Sequence, residues 1–246
     1  MTGDGAAQSV EASPPLFLGV YTAAKADRVV RAVGPARAAG WEIALHALDE
    51  VPDELADVTL CRGPGLRLDN LNGLCAEVGG LPRWVVFCDD DIEFVRGDVV
   101  RLVAEVEAAG FGVAQPAHVP GSHVSHPQTR LVKRSRARLV HFVEQGISVV
   151  APAWSQRVLP FPPGMGMGWG VELDWMDLAS EGCRAGVVDC VAIRHLDPVG
   201  ERYDMDAERQ RMAAVLRARG IDDLTAYQGT LATWRPWQRR PPWATR

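Results

Sequence analysis

Residues 83–94 read RWVVFCDDDIEF. The apolar run of β-branched and aromatic residues is the strongest strand signal in the chain. It leads directly into Asp89, Asp90 and Asp91. Three adjacent carboxylates at the end of a buried strand repel one another, and burial disfavours their charged forms. A divalent cation is the usual compensation. Mg2+ or Mn2+ takes one or two carboxylates together with phosphate oxygens of a substrate. The alternative is a solvated acidic turn ahead of the helix that starts near Gly97. In open α/β sheets ligands bind beyond the carboxyl ends of the strands, and this position favours the cation.

Working outward, LFLGVY (16–21) predicts a buried strand. A helix follows over 26–39, which Gly34-Pro35 should interrupt or end. WEIALHAL (41–48) predicts a second strand, residues 57–61 a short third, and 68–78 a helix closed by Gly79-Gly80. Residues 97–110 form an amphipathic helix with Val99, Val100, Val103 and Val106 on one face and Gly110 as its stop. This alternation predicts a parallel sheet with right-handed crossovers. Residues 115–138, rich in Pro, His and Arg, show no clear period. HFVEQGISVVA (141–151) reads as a strand, and PFPPGMGMGWG (160–170) as a loop feeding a helix from about Val171. Residues 185–194 read as a strand and 207–219 as an Arg-rich helix stopped by Gly220. The tail WRPWQRRPPWATR (234–246) has no packable period, and no repeat or linker divides the chain.

Composition limits the function classes. The 246 residues are 47% hydrophobic and 23% charged, the balance of a globular protein. Lys plus Arg is 26 against 31 Asp plus Glu, a net charge of −5, which argues against nucleic-acid binding as the main task. No stretch approaches the ~18 uninterrupted apolar residues of a membrane span. Residues 1–15 lack the pattern of a signal peptide and read as a disordered lead. The five cysteines are odd in number and follow no metal-ligand spacing. A reducing compartment, and so a cytoplasmic location, is the expectation.

Two further groups bear chemistry. In GMGMGWGVELDWMDLASEG (164–182) the helix opens with Glu172, Asp174 and Asp177. The helix dipole stabilises such carboxylates as anions, and an ionised carboxylate at a pocket mouth suits a general base. Val171, Trp175 and Leu178 share one face, and Asp174 and Glu172 border its two flanks. Ordinary helix-start acids are the alternative. His195 closes the strand AGVVDCVAIRH and could be a metal ligand, a base or a surface residue.

In this order, these pieces resemble the nucleotide-sugar-dependent glycosyltransferases of the GT-A fold, most closely the family 2-like group. The matching parts are LFLGVY (16–21), GLRLDNLNGL (65–74), and WVVFCDDDIEF (84–94) as the Asp-x-Asp motif. FVEQGISVVAPAW (142–154), GWGVELDWMDLA (168–179) as the acidic acceptor-side motif, and VVDCVAIRHLDP (187–198) follow. The resemblance spans residues 16–200 and implies an α/β fold, a GT-A (Rossmann-like) mixed sheet flanked by helices, in one domain over 16–220. The tail 221–246 would pack on that domain or on a partner.

The resemblance implies that Asp89 and Asp91 form the Asp-x-Asp pair serving Mn2+ or Mg2+, with Asp91 a direct ligand and His195 a further one. Asp89 or Asp90 would touch the donor's ribose or sugar. Thr22 to Lys25 would face the nucleobase, and Arg67 the base or phosphate. Asp174 would be the base. The common pattern is Glu-Asp side by side, whereas here Leu173 separates Glu172 from Asp174, so Glu172 is the second choice. The implied activity is metal-dependent transfer of a hexose from a nucleoside-diphosphate sugar, UDP or GDP, to a hydroxyl of a small or soluble acceptor, with inversion. A nucleotidyltransferase would need a glycine-rich basic loop after the first strand, which TAAK (22–25) lacks. A non-catalytic nucleotide-sugar-binding protein is the third class.

Several features stay open at this level. Arg130, Lys133, Arg134, Arg136 and Arg138 could meet phosphates or an anionic acceptor, or form a solvated loop. His118, His123 and His126 fit no zinc spacing. Glu144 could bind a sugar hydroxyl or face outward. Trp234, Trp237 and Trp243 could stack on sugars or bases, dock the tail on its own domain or form a homodimer contact.

Overall fold

A computed structural model describes residues 13–198, 200 and 203–244. The expected disordered lead therefore lies largely outside the described residues. The chain opens with β1 (Leu16–Tyr21), α1 (Ala26–Ala38), β2 (Glu42–Ala47), β3 (Thr59–Arg62), α2 (Arg67–Val78) and β4 (Val85–Asp89). It continues with β5 (Ile92–Arg96), α3 (Val99–Ala109), β6 (Val113–His118), β7 (Ala137–Val140) and β8 (Ile147–Val150). It closes with α4 (Pro152–Val158), α5 (Val171–Asp177), β9 (Ala185–His195), α6 (Met205–Ala218) and β10 (Thr230–Trp234).

The strands form one mixed ten-stranded sheet in the order β10-β7-β9-β6-β8-β4-β1-β2-β3, with β5 on the far half of β9. β1 runs parallel to β2 and β4, and β2 to β3. β8 is antiparallel to both β4 and β6, so β4 and β6 point the same way. Their carboxyl ends meet at one edge of the sheet, as the alternating first half of the sequence requires.

Helices cover both faces. Val29 and Val33 of α1 and Leu102 and Val106 of α3 pack on one side, Leu71 and Leu74 of α2 and Val171 and Trp175 of α5 on the other. Burying one such aliphatic side chain contributes roughly 1.5–3 kcal/mol. The central strands are apolar on both sides, as sandwiched strands must be. α3 is bounded as its sequence predicts: the Asp98 side chain accepts from Arg101 N at 2.8 Å, and Gly110 ends it in the left-handed conformation.

Four expectations need correction, and the tail has a definite place. α1 runs through Pro35 rather than stopping there. Ala32, Val33 and Ala36 anchor that turn in the core, and the carbonyl of Arg31 that Pro35 leaves without an N–H belongs to an exposed residue that water can reach. The strand foreseen over 141–151 is shorter, because only 147–150 pair with β4. Residues 115–138 hold most of β6 and the start of β7. β6 is buried at every position and so lacks alternation, and Pro116 sits beside a register break with β9, where a missing N–H is tolerated. Ile92–Arg96, straight after the acidic triplet, is a strand and not only a lead-in to α3. The tail packs: β10 pairs antiparallel with β7, Trp234 is buried, and Trp243 stacks on Phe111 with centroids 5.2 Å apart.

β9 decides the geometry of the site. Its first half pairs with β6 and β7, and its second half with β6 again and with β5, in the register Ile92↔His195. Three extra residues on β9, between Val188 and Ala192, break its ladder with β6. Within that break Asp189 is fully buried and accepts from Arg138 Nε at 2.8 Å, Arg138 Nη2 at 3.0 Å and Val132 N at 2.9 Å. Arg138 also donates to the carbonyls of Gln128 and Arg130, so the pair ties the 128–132 segment to the sheet.

Candidate active site

β4 delivers Asp89 at the carboxyl edge, and the turn to β5 presents Asp90 and Asp91. Because β5 pairs with the end of β9, His195 lies beside that turn. Its Nε2 is 3.0 Å from Asp91 Oδ2. Asp91 Oδ1 is buried and has no hydrogen-bond partner. Leu196 N donates to the Asp91 carbonyl at 2.9 Å, which fixes the turn.

The other two carboxylates are engaged. Asp90 accepts from Thr22 N at 3.0 Å, Thr22 Oγ1 at 3.2 Å and Lys25 Nζ at 2.9 Å. Lys25 also reaches Asp197 Oδ2 at 2.7 Å. Asp89 accepts from Arg67 Nε at the start of α2. Arg67 Nη2 donates to the Gln145 carbonyl at 2.7 Å and Nη1 to Gln145 Oε1 at 3.3 Å. Gln145 Nε2 donates in turn to Glu172 Oε2 at 3.1 Å and to the Gly168 carbonyl. Gly170 N donates to the same Glu172 oxygen at 3.1 Å. A continuous chain, Asp89–Arg67–Gln145–Glu172, thus joins the acidic strand end to the acidic helix.

These groups enclose a cavity of about 440 Å3, within the range of small-ligand sites. Asp89, Asp90, Asp91, His195, Arg67 and Glu172 all line it, as do Lys25 and Glu144. Thr22 is buried behind Asp90. Gly146 forms part of the wall: a Cβ there would stand 3.7 Å from Asp89 Oδ2 and 4.0 Å from His195 Cε1.

Asp174 is placed elsewhere. It does not line the cavity, and its carboxylate is ion-paired with Arg219, which also holds Asp177. On this seven-residue helix Glu172 turns inward and Leu173 is fully buried. Its flank of the helix thus faces the end of α6, whereas Glu172 faces the cavity.

Charge follows from burial. Burial raises Asp89 to about 6 in spite of Arg67. Burial likewise raises Glu172, against the hydrogen bonds it accepts. Burial lifts Glu144 to about 7, although His126 N and Thr129 Oγ1 donate to it at 2.8 and 3.0 Å. Burial opposes a charged His195, but its bond to Asp91 and the surrounding carboxylates outweigh that and raise its pKa.

Among the described residues no three His, Cys, Asp or Glu side chains form a ready cation cage. The donor atoms on offer are Asp91 Oδ1, which is orphaned, and the neighbouring His195 ring nitrogen. Such a two-residue set fits a hard cation that completes its shell with ligand oxygens. Gln145 was not foreseen as a site residue. It had no separate signal in the sequence, because a Cβ at the neighbouring Gly146 would meet only ordinary van der Waals contacts. Trp169 and Tyr203 also line the cavity and had no separate signal.

No protein-family model matches the chain, and no curated protein matches it in sequence. Solved structures do match its fold. GalNAc-T7, crystallised with UDP, GalNAc and Mn2+, superposes with a TM-score of 0.59 at 12% identity, over 85% of this chain and 48% of that one. TarS 1–349 of S. aureus superposes at 0.51 and 9% identity, over 87% of this chain and 74% of that one. Its complex with UDP-GlcNAc gives 0.52 and 11%, over 83% and 65%. The chain thus spans about half the length of the GalNAc-T7 chain. Both are GT-A glycosyltransferases, and the fold of this protein is the GT-A fold: one mixed sheet flanked by helices.

Proposed function

We propose that the protein transfers a sugar from a nucleoside-diphosphate sugar, with UDP or GDP as the nucleotide, to an acceptor hydroxyl. The observation that carries this reading is the orphaned Asp91 Oδ1 beside His195, at the carboxyl edge of parallel strands, facing a cavity of nucleotide-sugar size. Asp91 and His195 would hold Mn2+ or Mg2+, which supplies charge neutralisation on the departing diphosphate. The use of UDP and Mn2+ in the GalNAc-T7 structure supports the same assignment here.

The chain's own residues perform the remaining work. Arg67 and Lys25 line the cavity, each paired with a carboxylate, and their remaining N–H groups would donate to the diphosphate. Asp90 does not face the donor freely. Locked by Thr22 and Lys25, it holds the loop after β1 against the strand end and so shapes the nucleotide side. Asp89 anchors Arg67 in the same way. Glu172, which lines the cavity from the acidic helix, is the base in this reading. The Gln145 amide and Gly170 N–H donate to Oε2 and hold the carboxylate in place, and in this reading it accepts the proton of the acceptor hydroxyl. Attack assisted by a base on the face opposite the diphosphate inverts the sugar. The catalytic domain would take in residues 16–220, with the segment after it adding β10 to the edge of the sheet.

The test is transfer, or hydrolysis of the donor when no acceptor is present, from a panel of UDP- and GDP-sugars with Mn2+. Metal-dependent release of one nucleoside diphosphate is the expected result. Metal-dependent binding without turnover would reduce the protein to a nucleotide-sugar carrier. Pyrophosphate release from a nucleoside triphosphate would make it a nucleotidyltransferase.

A further inference from the structure

The basic run 130–138 divides in the structure. Arg138 is buried against Asp189, and Arg136 pairs with Glu105 at 2.7 Å and covers the Trp234 ring at 4.0 Å. Lys133 and Arg134 remain exposed. The β7–β10 ladder brings the turn after Trp234 against them: Arg136 N donates to the Trp234 carbonyl at 2.8 Å, and Arg235 Nη1 to the Arg134 carbonyl at 3.2 Å. The same turn exposes Arg239 and Arg240. Among the described residues none of Lys133, Arg134, Arg235, Arg239 and Arg240 pairs with a carboxylate. In a chain of net charge −5 this is a local concentration of uncompensated positive charge.

Large apolar side chains are exposed on the same segments. Trp237, at the tip of the turn, is 71% exposed, Leu231 on β10 is 53% exposed and Val132 is 37% exposed. Trp234 and Trp243, by contrast, are packed into the domain, so the exposure of Trp237 is not a property of the whole tail. The segments that carry the patch also reach the cavity. Ser125 and His126 line it, and Gln228 Nε2 lies 3.2 Å from His126 Nδ1.

We propose that this surface binds anionic lipid headgroups and seats the protein peripherally on a negatively charged membrane. The cations would meet the headgroup phosphates, each adding attraction within a Debye length of the surface. Trp237 would enter the headgroup boundary, where an indole with an apolar face and one N–H is best placed. Leu231 and Val132 gain from that boundary as well, whereas a soluble hydrated polyanion would need only the cations. No helix among the described residues is long and apolar enough to cross a membrane. The inference stands apart from the reading of the cavity, because no residue of the patch lines it.

The experiment is co-sedimentation of the full chain with vesicles of phosphatidylcholine alone and of phosphatidylcholine mixed equally with phosphatidylglycerol. Binding to the mixed vesicles only, weakening as NaCl rises, is expected. R239E/R240E should lower it at least about tenfold. W237S should weaken it several-fold and remove the blue shift of tryptophan emission seen with the wild-type protein. Both changes lie on exposed residues, and an unchanged melting curve checks the fold. Equal binding to both vesicles, binding to neither, or indifference to R239E/R240E overturns the proposal. Binding to soluble polyglutamate as tight as to vesicles, with W237S without effect, overturns it too and assigns the patch to a soluble polyanion.

Discussion

At the scale of single residues, the two acids of α5 separate cleanly. Glu172→Gln keeps the shape and the hydrogen-bond geometry but removes the proton acceptor. It should lower transfer by about 10²–10⁴-fold, the usual contribution of a positioned base. Asp174→Asn, away from the cavity, should leave transfer within a few-fold of wild type while loosening the contact with Arg219. The reverse ranking in purified variants would return the base to Asp174. Both acids were legible in the sequence as helix-start carboxylates. Their ranking was not, because it depends on Arg219, 45 residues further on, reaching back to Asp174. Glu144 gives a pH prediction. Its folded pKa of about 7 lies above the ordinary 4.5, so the folded state binds more protons than the unfolded one between those values. That part of the stability is whole below about pH 4.5 and is lost as pH rises to about 7. Chemical denaturation across this window should show a shallower decline for Glu144→Gln, which keeps an acceptor for His126 N and Thr129. An unaltered slope would place the titration elsewhere.

At the scale of elements, the site depends on a few joints. Gly168 has φ +106°, and a Cβ there would collide with Gln145 Oε1. Gly168→Ala should therefore strain the loop and displace Gln145, the link between Arg67 and Glu172, costing roughly 1–3 kcal/mol. A larger loss of activity than of thermal stability is the expected signature. A fully active variant would show that the Gln145 bridge is dispensable. The second joint is the break in β9, where buried Asp189 balances Arg138. Asp189→Ala leaves a buried guanidinium unpaired and should destabilise by about 3–5 kcal/mol, read by urea unfolding. A loss under 1 kcal/mol would mean that water or a neighbour compensates. The long strands and helices of the first half were readable because periodicity and terminal Asp and Gly residues mark them. β6, β7 and β10 were not. A strand buried at every position has no alternation, and a short edge strand is defined by its partner rather than by its own residues.

For the molecule as a whole, the order of the sheet explains why residues far apart in sequence meet. Asp91 and His195 are 104 positions apart, and the β5–β9 pairing alone brings them to 3.0 Å. The acidic triplet and the late histidine could both be named from sequence, but their contact needed the topology. The central claim is that this pair holds a divalent cation that a nucleoside diphosphate completes. It is tested most directly by thermal unfolding with UDP or GDP, with Mn2+ or with EDTA. One nucleotide at about a hundredfold excess over its Kd should stabilise the wild-type protein by about 2.7 kcal/mol. For a chain of this length that is a rise of roughly 5–10 °C in Tm. The rise should need Mn2+ and vanish in Asp91→Asn. An equal rise in EDTA, or an undiminished one in Asp91→Asn, would contradict the account.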